Sequence, residues 1–347
     1  MLEQSDLFIS GSEGYHTFRI PALIATPAGT LLAFCEGRRS AGSDSGDIDL
    51  LLRRSIDGGQ TWSDIQTVWA DPGNTCGNPC PVVDRETGII SLLMTHNLGT
   101  DVERQIIDGS SSGTRTVWLA RSSDDGQTWS QPREITAATK ASNWTWYATG
   151  PGAGIQLKSG RLVVPCDHIE IATNKYYSHV ILSDNGGETW RLGGITPTDQ
   201  VNECEVAELE DGRLLLNMRN YDPAQRARAY AHSSDGGESW SSLKRHPDLI
   251  EPICQASLRR LDGPNGTYLL FTNPASNSAR ENMTVRLSSD SGLSWPISRV
   301  LYPGPAAYSC LATLPDGRIA CLYERGEQRP YERLQLAFFD LDWLGAM

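Results

Sequence analysis

Arginines, carboxylates and one tyrosine recur along the chain at matching distances from glycine-centred turns. Arg19 lies ten residues before Gly29, Glu203 nine before Gly212 and Tyr308 nine before Gly317, while Glu36, Arg219 and Glu324 each lie seven residues after such a glycine. Arginine presents a planar fork that matches a carboxylate in two parallel hydrogen bonds. Several arginines converging on one channel repel each other unless an anion occupies the space, so this set predicts a site for an anionic small molecule. It contains no histidine, glycine-rich phosphate loop or Ser/His/Asp set.

The elements that must position these residues follow from internal repetition. Ser-x-Asp-x-Gly-x-Thr/Ser-Trp occurs at residues 55–62, 122–129, 233–240 and 288–295, and a fifth copy at 183–190 carries Asn185 in the aspartate place. A second repeat, two apolar runs about a turn, centres on Gly29, Gly88, Gly160, Gly212, Gly266 and Gly317. Such turns are hairpin signals. Six hairpins, five followed by a tryptophan box, predict an all-β fold, a six-bladed β-propeller with residues 1–347 as a single domain. The box is expected to form the turn between strands three and four of a blade, with its Ser and Asp holding backbone groups and its Trp packed beneath. Only residues 333–343 read as strand after the sixth hairpin, so residues 6–10 are expected to supply the last outer strand. Residues seven to ten positions from a hairpin turn sit at its open end. The candidate residues therefore share one face and the boxes lie on the other.

Composition agrees with many short strands. The 347 residues include 33 glycines, 19 prolines and 10 tryptophans, with 39% hydrophobic residues. A formal net charge of -12 argues against nucleic acid or an anionic membrane as partner. An anionic substrate must then be met by local arginines, since remote charges are screened beyond about 10 Å. Residues 1–11 show no secretory apolar region and no apolar stretch is long enough for membrane insertion, which leaves the cytoplasm, or secretion after signal removal, both open. The eight cysteines are expected to be reduced and packed, and Cys76 and Cys80 lack the companions of a zinc site.

At Phe18-Arg19-Ile20-Pro21-Ala22 the chain, with its five boxes, resembles the exo-sialidase (neuraminidase) family over about residues 15–344. The resemblance implies a six-bladed propeller and an arginine triad that clamps the carboxylate of sialic acid: Arg19, Arg219 in Leu-Asn-Met-Arg-Asn, and Arg280, preferred over the nearby Arg286 because the latter sits just before a box. It implies Tyr308 in Ala-Tyr-Ser-Cys-Leu as nucleophile with Glu203 as its partner, Glu205 on the same strand face being the rival, and Asp44 as acid/base, with Asp47 and Asp49 as competitors. Sialic acid carries a carboxylate on its anomeric carbon, so a neutral tyrosine approaches where an Asp or Glu would be repelled; sialidases are the known tyrosine-using exception among glycosidases. With a pKa of about 10, that tyrosine needs a carboxylate to accept its proton.

By the same resemblance Glu324 orients the first arginine, Glu36 supports the site from behind, Arg38 contacts the ring near its 4-hydroxyl, and Asn78 and the aromatic run 144–147 are lining candidates, the tryptophans being equally compatible with core. The implied activity is retaining hydrolysis of terminal α-linked sialic acid through a tyrosyl intermediate, without metal or organic cofactor, on sialylated oligosaccharides, glycoproteins or gangliosides. Two other readings stand beside it: a trans-sialidase or intramolecular variant on the same residues, and a non-catalytic sialoglycan-binding propeller.

Overall fold

The computed structural model describes residues 1–263 and 266–346, and the fold is all-β. Its strands form consecutive antiparallel meanders. The first runs through Thr17–Ala25, Leu31–Arg38, Ile48–Ser55 and Gln66–Trp69. The second comprises Thr75–Val83, Ile90–Asn97, Thr116–Ser122 and Arg133–Glu134, and one parallel bridge from Ile48 to Thr75 links it to the first. In the third, Trp144–Thr149 and Ile155–Gln156 both pair with Leu162–Glu170, followed by Tyr176–Ser183 and Arg191–Ile195. The fourth is Val201–Glu208, Leu214–Asn220, Ala227–Ser233 and Lys244–Ile250.

The long strand Ile297–Thr313 serves two meanders. Its first half closes the fifth, after Ser257–Gly263, Gly266–Pro274 and Glu281–Ser288, and its second half opens the sixth, with Ile319–Arg325 and Arg333–Phe339. The N-terminal strand Glu3–Ile9 completes the sixth by pairing antiparallel with Arg333–Phe339. The strand expected over 333–343 stops at Phe339: the Asp340 side chain accepts the backbone N–H of Trp343 and starts the short helix Leu341–Leu344 instead.

In the first meander the inner strands Thr17–Ala25 and Leu31–Arg38 are buried at every residue but Ala25, whereas the outer strand Gln66–Trp69 is half-exposed. Both faces of an inner strand are covered, so its sequence reads as a continuous apolar run rather than an alternation. Apolar clusters join neighbours in chain order: second to third through Val82 and Val164, third to fourth through Val180 and Val206, fourth to fifth through Leu215 and Leu269, fifth to sixth through Leu287 and Cys321. A further cluster brings the sixth, first and second together through Leu322, Phe34 and Leu92. All eight cysteines are buried and unpaired within this packing.

Each tryptophan box lies between the third and fourth strands of its meander. In the first, Ser55 Oγ donates to Asp57 Oδ1 and accepts from Gly59 N, both at 2.8 Å, and Asp57 accepts the Thr61 N–H at 2.9 Å and its hydroxyl at 2.5 Å. Asp124, Asp235 and Asp290 repeat the pattern, and Asn185 accepts the Thr189 N–H in the same way at 3.0 Å. The close approach of this turn to the neighbouring sixth meander requires glycine at position 59, where φ is 91° and a Cβ would run into the Phe338 ring.

Candidate active site

In five meanders the innermost strand slips register at its end away from the hairpin turn: between Arg19 and Ala22, Gly77 and Cys80, Trp144 and Tyr147, Val201 and Cys204, and Ala306 and Ser309. Such a bulge re-aims the side chains it carries. Ile20, Asn78, Trp146, Glu203 and Tyr308, one from each slip, all line a single cavity of about 280 Å³. Ile20 and Asn78 take φ of 60° and 51°, a left-handed conformation that strains a β-branched residue. The Ile20 N–H is held there by Glu324 Oε1 at 3.0 Å.

Glu324 is fully buried behind the cavity wall, where it binds Arg19 through both carboxylate oxygens, at 3.0 and 3.3 Å, and accepts the Tyr308 N–H at 3.0 Å. It thus fixes an arginine and the tyrosine backbone from one position. The Tyr308 hydroxyl donates to Glu203 Oε1 at 2.5 Å, and Arg219 Nη1 donates to Glu203 Oε2 at 2.6 Å and to the tyrosine oxygen at 3.2 Å. The guanidinium of Arg280 lies 5.7 Å from the Tyr308 ring centre and that of Arg19 5.0 Å. Tyr331 and the Ile253 carbonyl hold Arg280 in place, at 2.7 and 3.3 Å. Arg286 is bound to Asn273 and does not line the cavity.

On the adjoining wall Glu36 receives Arg38 at 2.7 Å and the Asn78 N–H at 2.9 Å. Asp44 lies across two arginines, accepting from Arg38 at 2.6 Å and Arg19 at 3.2 Å. Asp49 sits in its strand, bonded to Tyr15 and Arg39, and Asp47 is placed 3.8 Å from Arg39; neither lines the cavity. Glu205 is turned toward Ser257, Leu258 N and Ala153 N, away from Tyr308. Of the aromatic run, Trp146 lines the cavity, while Trp144 and Tyr147 are core and Trp144 stacks on His168.

The electrostatics divide the acids into two kinds. Burial pushes the Tyr308 phenol well above its usual range and Glu203 pushes it further, against Arg219, Arg280 and Arg19, so the proton rests on the tyrosine. Burial acts to raise Asp44 as well, but Arg38 and Arg19 outweigh it and hold this carboxyl below its usual value. At Glu103 and Asp167 burial outweighs the opposing pull of Arg115 and Arg219. Burial raises both, with Asp44 adding to Glu103 and Glu203 adding to Asp167. The arrangement can hold an organic anion among arginines, and pass a proton between Tyr308 and Glu203.

Residues not singled out from sequence also line this cavity, notably Glu103, Arg115, Asp167, Asn202 and Tyr221. Two carried a usable signal. Asp167 lies seven residues after Gly160, the spacing of Glu36, Arg219 and Glu324 from their own glycines, and Asn202 lies ten before Gly212 as Arg19 does before Gly29. Arg115 and Glu103 stand in the long connection of the second meander, where no turn sets a register. The boxes lie elsewhere: Asp184, Asp235 and the turn glycines Gly160 and Gly212 line a separate cleft.

Comparison with known proteins gives the family. Residues 29–321 match the BNR repeat-like domain family. A sialidase of Micromonospora viridifaciens is 38% identical over 99% of this chain and 54% of its own length, and human Sialidase-3 is 31% identical over 96% of this chain and 92% of its own. Among solved structures the Hadza microbial sialidase Hz136 superposes with a TM-score of 0.90 at 31% identity, covering 98% of this chain and 69% of that one. The chain spans only about half the length of the Micromonospora relative. A match over most of the chain, by repeat and by identity to full-length relatives, establishes that this protein belongs to the sialidase family.

Proposed function

We propose that this chain is a retaining exo-α-sialidase, a single-domain six-bladed β-propeller that releases terminal α-linked sialic acid from sialylated glycans. The observation that carries the reading is the Tyr308–Glu203 hydrogen bond, made at 2.5 Å beside Arg219 in a cavity that also presents Arg19 and Arg280. The propeller reading is supported by six meanders packed in chain order and by a cluster that returns from the sixth to the first.

In this reading Arg19, Arg219 and Arg280 take the substrate carboxylate, with Glu324 keeping Arg19 in position. Tyr308 attacks the anomeric carbon as Glu203 accepts its proton, forming a tyrosyl sugar with inversion; water then displaces the tyrosine with a second inversion, giving net retention. The ionised Asp44 found between Arg19 and Arg38 does not suit a proton donor. An arriving substrate carboxylate competes for Arg19, weakens the field that holds Asp44 ionised, and frees it to carry a proton to the leaving oxygen. Arg38 and Asn78 then face the ring, with Glu36 holding both.

Hydrolysis of an aryl α-sialoside followed by time-resolved NMR tests this. The α-anomer of free sialic acid should be released first. Release of the β-anomer first would exclude the tyrosyl intermediate, and no release from any sialoside would exclude the activity.

A further inference from the structure

The connection from the fourth meander to the fifth, residues 251–256, lies outside the strands and yet touches the site at three places. The Ile253 carbonyl accepts from Arg280 Nη2 at 3.3 Å, and Cys254 packs against Tyr308 together with Ile20 and Ala307. The Gln255 side chain accepts the Ser309 N–H and donates to the Ser309 carbonyl, each at 2.9 Å. No sheet ladder fixes this segment, and Ile253 takes a φ of 56°, which costs energy for a β-branched residue. Its conformation must be held by side chains.

A buried ion pair holds it. Arg228 Nη1 donates to Glu251 Oε2 at 2.7 Å, both side chains are shut off from solvent, and neither lines the cavity. The pair grips the segment at one residue, since Glu251 Oε2 accepts the Cys254 N–H at 3.4 Å and Arg228 Nη1 donates to the Cys254 carbonyl at 2.6 Å. The Cys254 N–H and the Ile253 carbonyl belong to the same peptide group. One rigid plane therefore joins Glu251 on one side to Arg280 on the other. The second oxygen, Glu251 Oε1, accepts the Asn220 N–H at 2.8 Å, and that N–H belongs to the peptide group that follows Arg219. A single carboxylate thus ties the backbone beside Arg219 to the peptide that holds Arg280. Arg228 is aimed in turn by Asn217, which accepts from its Nε at 2.7 Å and stands on the same strand as Arg219.

A buried ion pair adds little to stability, because the cost of desolvating two charges offsets their attraction; its better attested use is to fix one arrangement among several. Here that arrangement is the gap between two arginines that must meet one carboxylate. Resting on the sialidase reading, we infer that Glu251 and Arg228 are positioning residues, which set the spacing of Arg219 and Arg280 for the carboxylate of the substrate. Arg19 is held separately by Glu324, so the pair governs two of the three arginines.

The test is calorimetric binding of two probes, a 2,3-unsaturated sialic acid analogue and its counterpart with the carboxyl reduced to a hydroxymethyl group. Wild type should bind the carboxylate form more tightly. Glu251→Gln keeps the size of the side chain but turns an amide nitrogen toward donors, so this preference should fall by at least about tenfold while the hydroxymethyl analogue binds as before. Arg228→Met/Glu251→Gln removes both charges together, leaves neither buried alone, and should lose the preference in the same way. Arg228→Lys keeps a cation against Glu251 and should preserve most of it. An unchanged preference in the folded variants, whatever their Tm, or an equal loss of binding for both analogues would overturn the assignment, the second outcome marking a general loosening of the fold. Wild type that does not prefer the carboxylate form would overturn the arginine clamp and this inference together. If the preference is present and the variants lose it, but no sialoside is cleaved, the positioning role stands and the hydrolytic reading falls.

Discussion

Replacing Tyr308 with phenylalanine removes one oxygen from the centre of the proposed mechanism and leaves the rest of the wall in place. The lost contacts are the hydroxyl's donation to Glu203 at 2.5 Å and its acceptance from Arg219 at 3.2 Å. A hydrogen bond to a charged group contributes about 1.5–3 kcal/mol, but Glu203 keeps Arg219 on its other oxygen at 2.6 Å, so the loss falls at the lower end. The phenyl ring still packs against Ile20, Cys254 and Ala307 and still lies beneath Arg19 and Arg280. Stability should therefore drop by about 1.5 kcal/mol, a shift of a few degrees in Tm.

Chemistry should suffer far more. Without a nucleophilic oxygen, turnover of an aryl sialoside should fall by at least about 100-fold, close to 2.7 kcal/mol of activation free energy, while an unsaturated sialic acid analogue still binds. A fluorinated sialosyl donor should label Tyr308 in wild type, as read by mass spectrometry of peptides, and should leave Tyr308→Phe unlabelled. An unimpaired variant, or a label on Glu203 or Asp44, would refute the assignment of the nucleophile.

Other perturbations probe the surrounding parts. Arg219→Ala removes a carboxylate ligand and leaves Glu203 unneutralised, so kcat/KM should fall by about two orders of magnitude with the fold retained by circular dichroism; wild-type kinetics would remove Arg219 from the clamp. Glu324→Gln puts an amide against donors from Arg19, Ile20 and Tyr308, and should lower both Tm and kcat/KM; a loss of Tm with unaltered kinetics would make Glu324 purely a support of the fold. Asp235→Ala disrupts a solvent-exposed box turn, so about 1 kcal/mol of stability should be lost while kinetics at 25 °C stay intact, and abolished activity with normal Tm would place the boxes at the site. Turn hydrogen bonds depress Asp57 and Asp124 to about 2 from an ordinary 3.8, and Asp235 also reaches about 2 by such bonds despite some burial. Their folded values lie below the unfolded one, so their contribution is complete above the unfolded value and is lost as pH falls toward 2. Thermal melts should be insensitive to these groups at neutral pH and lose stability below about pH 4, less steeply in an Asp235→Asn variant.

The features legible in the sequence are those governed by neighbours along the chain. A tryptophan box closes on itself through Ser55, Asp57, Gly59 and Thr61, so eight residues contain both the pattern and its cause. A hairpin counts outward from its turn, and this is why the offsets of Glu36, Arg219 and Glu324 place them at one end; the same count, applied without exception, also reaches Asp167. The tertiary structure alone decided which of these residues meet. Tyr308 and Glu203 are separated by 105 residues, and Arg19 and Glu324 by 305, so their contacts depend on how the meanders pack against one another. Local spacing could not separate Glu203 from Glu205, two residues apart on one strand face. The register slip between Val201 and Cys204 lies on Glu203, which meets Tyr308, while Glu205, beyond the slip, is bound by Ser257 and two backbone N–H groups. Arg115 had no turn to count from, and its place on the cavity wall, stacked on Trp146 and bonded to Asn97, follows only from the tertiary structure.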